Sequence, residues 1–267
     1  MKLKLPAALL AAAVFFAFPA GPARGHFGMV IPSTPTVMEM PEADIVLDIK
    51  FWHPFANVGM DMEKPKTFQV FTGGQAVDLL PKLKEGKLRN FKKWTVDYKA
   101  DRPGLYVFAM EPAPYWEPEE DKFIIHYTKA YVSAFGDDDG WNEPVGLKTE
   151  IVPLTNPGTL YAGGLFTGRV ILDGKPVPGS EVEVEWYPGE NRQGQAPNEA
   201  MIALSLVADD NGVFSFAAPK SGWWGFAALN EADHKLKREG QDKDIELGGI
   251  IWVYFHDMKD AVPYTGK

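Results

Sequence analysis

The chain has 267 residues, no cysteine, and 27 Lys+Arg against 36 Asp+Glu, a formal charge of −9. Without cysteine, a disulfide framework, a Cys-type zinc finger, an iron–sulfur cluster and a thiol nucleophile are all excluded. At 45% apolar and 24% charged residues the chain is an ordinary folding sequence, and its acidity favours cations over nonspecific nucleic-acid binding.

The first element is a signal. Lys2 and Lys4 precede an apolar run from Leu5 to Phe18, and Pro19 to Gly25 form a small-residue tail, the pattern of a secretory signal peptide. The run is shorter than the roughly 20 apolar residues that span a bilayer. Ala23-Arg24-Gly25 places small residues at −3 and −1 of a cut that leaves His26 first in the mature chain; cuts after Ala20 or Ala23 compete with it. Losing residues 1–25 removes Lys2, Lys4 and Arg24 and no acid, so the formal charge falls from −9 to −12. No Cys follows the run, which excludes a bacterial lipoprotein anchor. The expectation is an exported, periplasmic protein not inserted in the membrane.

Strand patterns follow in order. Ile45, Leu47, Ile49, Phe51 and His53 share one face at period 2. Thr67 to Phe71, Trp94 to Tyr98, Leu105 to Met110 (fed by the turn Asp101-Arg102-Pro103-Gly104), Phe123 to Ala134 and Lys148 to Val152 read as further strands. Pro153-Leu154-Thr155-Asn156-Pro157-Gly158 is the candidate boundary. Beyond it come Phe166 to Leu172, the turn Asp173-Gly174, the alternating Glu181 to Trp186, Met201 to Ala208, Val213 to Ala217, Phe226 to Leu229 and Gly249 to Phe255. About seven strands in roughly 100 residues match an immunoglobulin-like sandwich. The strongly charged Glu231 to Glu239 reads as a short exposed helix or a mobile loop. The expected fold is all-β: a signal peptide at 1–25, then two tandem immunoglobulin-like β-sandwich domains, 26–157 with a metal site and 158–267.

With no cysteine, the five histidines are the main transition-metal donors. A terminal His26 chelates through its α-amine and imidazole, both of which shed protons near neutral pH, and nitrogen donors in a tetragonal arrangement suit Cu(II) or Ni(II). His53 ends an apolar strand face before Pro54, and His126 lies within Phe123-Ile124-Ile125-His126-Tyr127. Each alone is as readily a hydrogen-bonded structural histidine. Together in one domain, His26, His53 and His126 form the expected metal set. His234 looks solvated, and Asp257 beside His256 is a weaker candidate as an outer partner. Met60 and Met62 keep Cu(I) open, although Met more often fills gaps. Asp137-Asp138-Asp139-Gly140 and Asp209-Asp210-Asn211-Gly212 lack EF-hand spacing and read as solvated turns. Trp116, Trp223 and Trp224 read as core or interface filling before sugar platforms. No Ser-His-Asp motif, phosphate loop or His-Glu-x-x-His pattern is present.

His26-Phe27, Phe51-Trp52-His53-Pro54-Phe55, Met60-Asp61-Met62-Glu63, Phe123 to Lys129, Glu150 to Thr155 and Gly222-Trp223-Trp224-Gly225-Phe226-Ala227-Ala228-Leu229 resemble the additional periplasmic component of bacterial energy-coupling-factor (ECF) nickel importers. The resemblance covers nearly the whole mature chain. It implies a non-enzymatic protein that binds Ni(II) or Co(II) and passes it to membrane importer subunits, with affinity falling as pH drops and the donors protonate. It supplies no ligand set. Two alternatives stand beside it: a periplasmic copper carrier, and an enzyme similar to copper monooxygenases, in which a terminal amine and two imidazoles brace one copper. A structural or sugar-binding module using the tryptophans is a further class, which metal titration separates from these.

Overall fold

In the computed structural model, residues 25–258 are described; the expected signal peptide, apart from Gly25, lies outside them. The backbone is strand throughout, joined by turns and four three-residue 3₁₀ segments. Among the described residues no helix is long and apolar enough to cross a membrane.

Three sheets stack on one another. The first holds, in order, Phe27–Pro32, Asp44–His53, Phe91–Lys99 and Lys84–Leu88, with Val58–Met60 also on Asp44–His53. The central, ten-stranded sheet runs Leu204–Val207, Glu181–Tyr187, Gly222–Glu231, Ile245–Phe255, Lys122–Ala134, Gly104–Glu111, Thr67–Thr72, Gln75–Asp78, with Tyr115–Glu117 and Thr36–Val37 paired to Lys122–Ala134. The third holds Thr149–Pro153, Leu165–Leu172 and Lys175–Pro176, with Val213–Ala217 on Leu165–Leu172. The all-β sandwich architecture expected from strand spacing is therefore present, in the form of two sandwich cores sharing one middle sheet.

Sharing explains why Ile245–Phe255 is apolar without alternation. Ile250 and Trp252 enter the core against the first sheet, while Ile251, Val253 and Phe255 enter the core against the third. A strand buried on both faces has no solvent side to make polar. Its partner is Lys122–Ala134, paired in parallel from Phe123↔Ile245 to Ala130↔Trp252. Residues before and after Pro157 are thus joined by a hydrogen-bonded ladder as well as by the chain. Trp252 Nε1 also donates to the Gly28 carbonyl at 2.9 Å, fastening the first sheet to the middle one.

The segment Glu231 to Glu239 is neither helix nor loop. Leu236–Arg238 and Gln241–Lys243 form a hairpin. Its two turn residues, Glu239 and Gly240, have φ of 50° and 80°, the pair of positive values a type I′ turn requires. Glu-Gly signals such a turn less clearly than Asp173-Gly174, which adopts the same conformation (49° and 73°). The acidic turns satisfy their own backbone. Asp209 accepts from the amides of Val213 (2.9 Å) and Asn211 (2.8 Å), which hold its pKa below the usual range, and Asp138 pairs with Asn156.

Candidate functional site

Three segments distant in sequence converge where the first sheet meets the middle one. Gly25 and His26 lead into Phe27–Pro32, which pairs antiparallel with Asp44–His53 from Phe27↔Trp52 onward. That register sets His26 beside His53. Their rings lie 4.6 Å apart, tilted by 49°. His53 sits where its strand ends because Pro54 has no amide to continue the ladder, and its Nδ1 lies 3.0 Å from the Gly25 carbonyl oxygen.

His26 is positioned by its other nitrogen. Nε2 lies 2.9 Å from Glu117 Oε2, on the short strand Tyr115–Glu117. Burial first, and the nearness of His126 second, lower the His26 pKa to about 4. The ring is therefore neutral at physiological pH, with the Glu117 carboxylate against its Nε2. Nδ1, the ring nitrogen nearer the backbone, is the one able to close a chelate ring with an α-amine on the same residue.

His126 is brought close but is otherwise occupied. It is 2% exposed on the middle sheet; its Nδ1 accepts from the Gly28 amide at 3.3 Å and its Nε2 meets Glu246 Oε1 at 3.2 Å. Gly248 gives it room, since a Cβ there would collide with the imidazole. Burial opposes ionisation of Glu246, but hydrogen bonds from His126 and Lys122, with the Lys122 charge, outweigh it and bring its pKa to about 2. His126 thus ties Phe27–Pro32 to the middle sheet, and it shares with His26 a contact to the Phe51 ring (5.5 and 5.7 Å). Of the three expected ligands, the structure pairs His26 with His53 and puts His126 behind them with both nitrogens hydrogen-bonded.

Met62, among the remaining candidates, lines one cavity with Phe51 and His126. Met62 is buried and Met60 packs against the same core. His234 contacts Asp233 at the surface, and His256 meets the Tyr254 ring edge-on, where burial lowers its pKa. Trp224 is buried with Nε1 donating to the Lys220 carbonyl; Trp116 lies under the Arg238 guanidinium.

Two residues that sequence reasoning does not single out border the site. Glu183 and Glu185 alternate with Val182 and Val184, a pattern that reads as a solvated face. Yet Glu185 is 1% exposed, because the segment from Gly25 to Phe27 and the turn at Phe55 cover that face. Its Oε2 accepts from the Phe55 amide at 3.1 Å. Burial raises the Glu185 pKa to about 8, against the pull of the Phe55 and Gly25 amides. Burial, then the Glu246 charge, raises that of Glu183 to about 7.

A raised carboxyl pKa means that the folded protein keeps a proton the unfolded chain has lost. The stability this contributes is full below about pH 4.5 and is lost as pH climbs towards 8. One such proton changes stability by about 1.4 kcal/mol per pH unit. In Glu185→Gln the side chain stays neutral, so thermal midpoints measured from pH 5 to 9 should decline less steeply than in the parent. An unchanged slope would show that Glu185 is not the group being titrated.

Among the described residues no three His, Asp or Glu side chains stand ready around one ion. Two imidazoles, those of His26 and His53, lie ring to ring.

Residues 23–232 match the family described as "Domain of unknown function (DUF4198)". No curated protein matches the chain in sequence. Among solved structures, the D0-D1 domain of intimin aligns at 15% identity and a TM-score of 0.26, covering 87% of this chain and all of that one. The fibronectin(III)-like modules of Clostridium thermocellum CbhA align at 10% and 0.23, over 88% of this chain and 100% of theirs. Yersinia pseudotuberculosis adhesin InvE aligns at 9% and 0.23, over 90% and 65%. At such scores these likenesses carry no argument about the site.

Proposed function

We propose that this chain, which belongs to the DUF4198 family, is an exported, non-enzymatic protein that binds Ni(II) or Co(II) in the periplasm and delivers it to the membrane subunits of an ECF-type importer. The observation that supports the binding reading most is the His26–His53 pair, with rings 4.6 Å apart and His26 Nε2 on Glu117. Metal-bound histidines characteristically donate the second ring N–H to a carboxylate or carbonyl, and burial keeps His26 neutral, as a ligand must be. Cleavage before His26 would free its α-amine next to Nδ1 of the same residue and beside His53. One amine and two imidazoles form a nitrogen set suited to Ni(II). The importer as recipient rests on the sequence resemblance.

The test starts from protein exported with its own signal, its first residue read by mass spectrometry. Nitrogen sites bind Cu(II) more tightly than Ni(II) almost without exception, so affinity rank does not discriminate. The discriminating measurement is the metal carried after export from cells supplied with both ions at low concentration. Nickel or cobalt is expected. Copper in its place favours the carrier alternative, and oxygen-dependent turnover with copper and a reductant would make the protein an enzyme. Glu117→Ala should weaken Ni(II) binding about 10–100-fold, the usual cost of losing an outer partner of a ligand, measured by calorimetric titration.

A further inference from the structure

The first-sheet side of Glu181–Tyr187 carries two carboxylates whose covering the strand's own pairing does not require. Val182 and Val184 fill the second core and Tyr187 the first, as any alternating strand would. Between them, Glu183 and Glu185 close over Gly25. A Cβ on Gly25 would fall 2.6 Å from Glu183 Oε2 and 3.0 Å from Glu185 Oε1, so the residue before His26 rests directly against both. Glu185 Oε1 is buried, and among the described residues no donor meets hydrogen-bond geometry with it, although the Gly25 amide is near enough to pull on the carboxyl. Leaving such an oxygen without a donor is costly, and native proteins do so rarely. The oxygen faces the place that the expected cut vacates, since Gly25 and its amide leave together with the signal.

Resting on the proposed metal-binding function, we propose that Glu183 and Glu185 are oxygen ligands of the same divalent cation, reaching it once Gly25 is gone. The site is then completed across the two halves of the chain, with His26 and His53 from the first sheet and two carboxylates from the middle one. Charge supports the assignment. Two carboxylates cancel a 2+ ion, and a buried charge is tolerated only when paired. Carboxylate oxygens suit divalent first-row ions and not Cu(I), which prefers thiolate and thioether. Retaining Gly25 fills the same space, so the uncleaved chain has neither the amine nor the opening for the ion. The competing role for the glutamates is pairing with the α-ammonium of His26, and it predicts the opposite response, because neutralising them would then free the amine to bind metal.

The experiment uses the chain beginning at His26, with Glu183→Gln, Glu185→Gln and the double substitution. Ni(II) is titrated calorimetrically, and Co(II) is followed by its visible absorption. Each single substitution should weaken Ni(II) binding at least about tenfold, the lower bound for disturbing even an outer partner, and the double should alter the Co(II) bands. The metal-free thermal midpoint at pH 8 should stay at or above that of the parent, which separates loss of a ligand from loss of the fold. Glu183 is less buried than Glu185, so its single substitution keeps the test decisive should the Glu185 variant fail to fold. Unchanged or tighter Ni(II) binding with unchanged Co(II) bands overturns the proposal while leaving the metal-binding reading intact. If the parent chain beginning at His26 binds neither ion, that reading falls and takes this proposal with it.

Discussion

His53→Ala is expected to weaken Ni(II) binding by more than about 100-fold, exceeding the 10–100-fold cost of losing an outer partner. Adding a single residue before His26 should do the same by a different route. The imidazole removed in the first case is one of only two that the structure sets ring to ring. The second case converts the terminal amine into an amide, which has no lone pair to give a metal at neutral pH. Both effects are measured by titrating the chain beginning at His26 beside each variant. Equal affinity in the extended form would remove the amine from the site, and equal affinity in His53→Ala would remove the imidazole pair. His126→Ala serves as the contrast. Because both nitrogens of that ring are engaged by Gly28 and Glu246, its loss should lower stability by more than it alters the number of ligands.

Breaking the Lys129–Glu150 pair is expected to cost about 3–5 kcal/mol of stability, the price of stranding one buried charge. Lys129 Nζ lies 2.5 Å from Glu150 Oε2, with side-chain exposures of 0% and 1%. The carboxylate also accepts from the amides of Val145 and Gly146 at 3.2 and 3.0 Å. Burial works against the charge on Lys129, but Tyr131 and Glu150 beside it hold its pKa above the ordinary value. Glu150→Ala therefore leaves a cation and two amides unsatisfied between the middle and third sheets. For a protein of this size, each kcal/mol moves the thermal midpoint by about 2–4 °C, so the drop should be on the order of 10 °C. Combining Lys129→Met with Glu150→Leu should lose less than either substitution alone, because no charge is then stranded. A larger loss in the double than in the singles would refute the charge argument.

Much of the fold is legible because burial leaves a mark on local pattern. Asp44–His53 shows alternation since part of its length has one wet face, with Val46 exposed and Ile45 and Leu47 buried. Phe27–Pro32 escapes such a reading because every residue in it is buried, and a strand covered on both sides has no period to read. Lys84–Leu88 escapes it for the opposite reason: it is a polar edge strand, and only pairing with Phe91–Lys99 makes it a strand at all. A hairpin replaces the expected helix or loop at Glu231 to Glu239, where charge density masks the Glu239-Gly240 turn.

The site divides along the same line. Residue type and position along the chain are enough to single out His26, His53 and His126, because a chain without cysteine has few transition-metal donors to choose from. Which of them meet is decided by register. Pairing of Phe27 with Trp52 brings two imidazoles together, while the Gly28 amide and Glu246 claim the third. Glu117, Glu183 and Glu185 are invisible among 36 acids, since a carboxylate on an alternating strand looks the same whether water or another sheet covers it. Composition and periodicity are properties of neighbours along the chain and carry the all-β class and the candidate donors. Burial of a carboxylate, and the loss of solvation that comes with it, depend on which distant segment lies on top, and only the packing of the sheets supplies that.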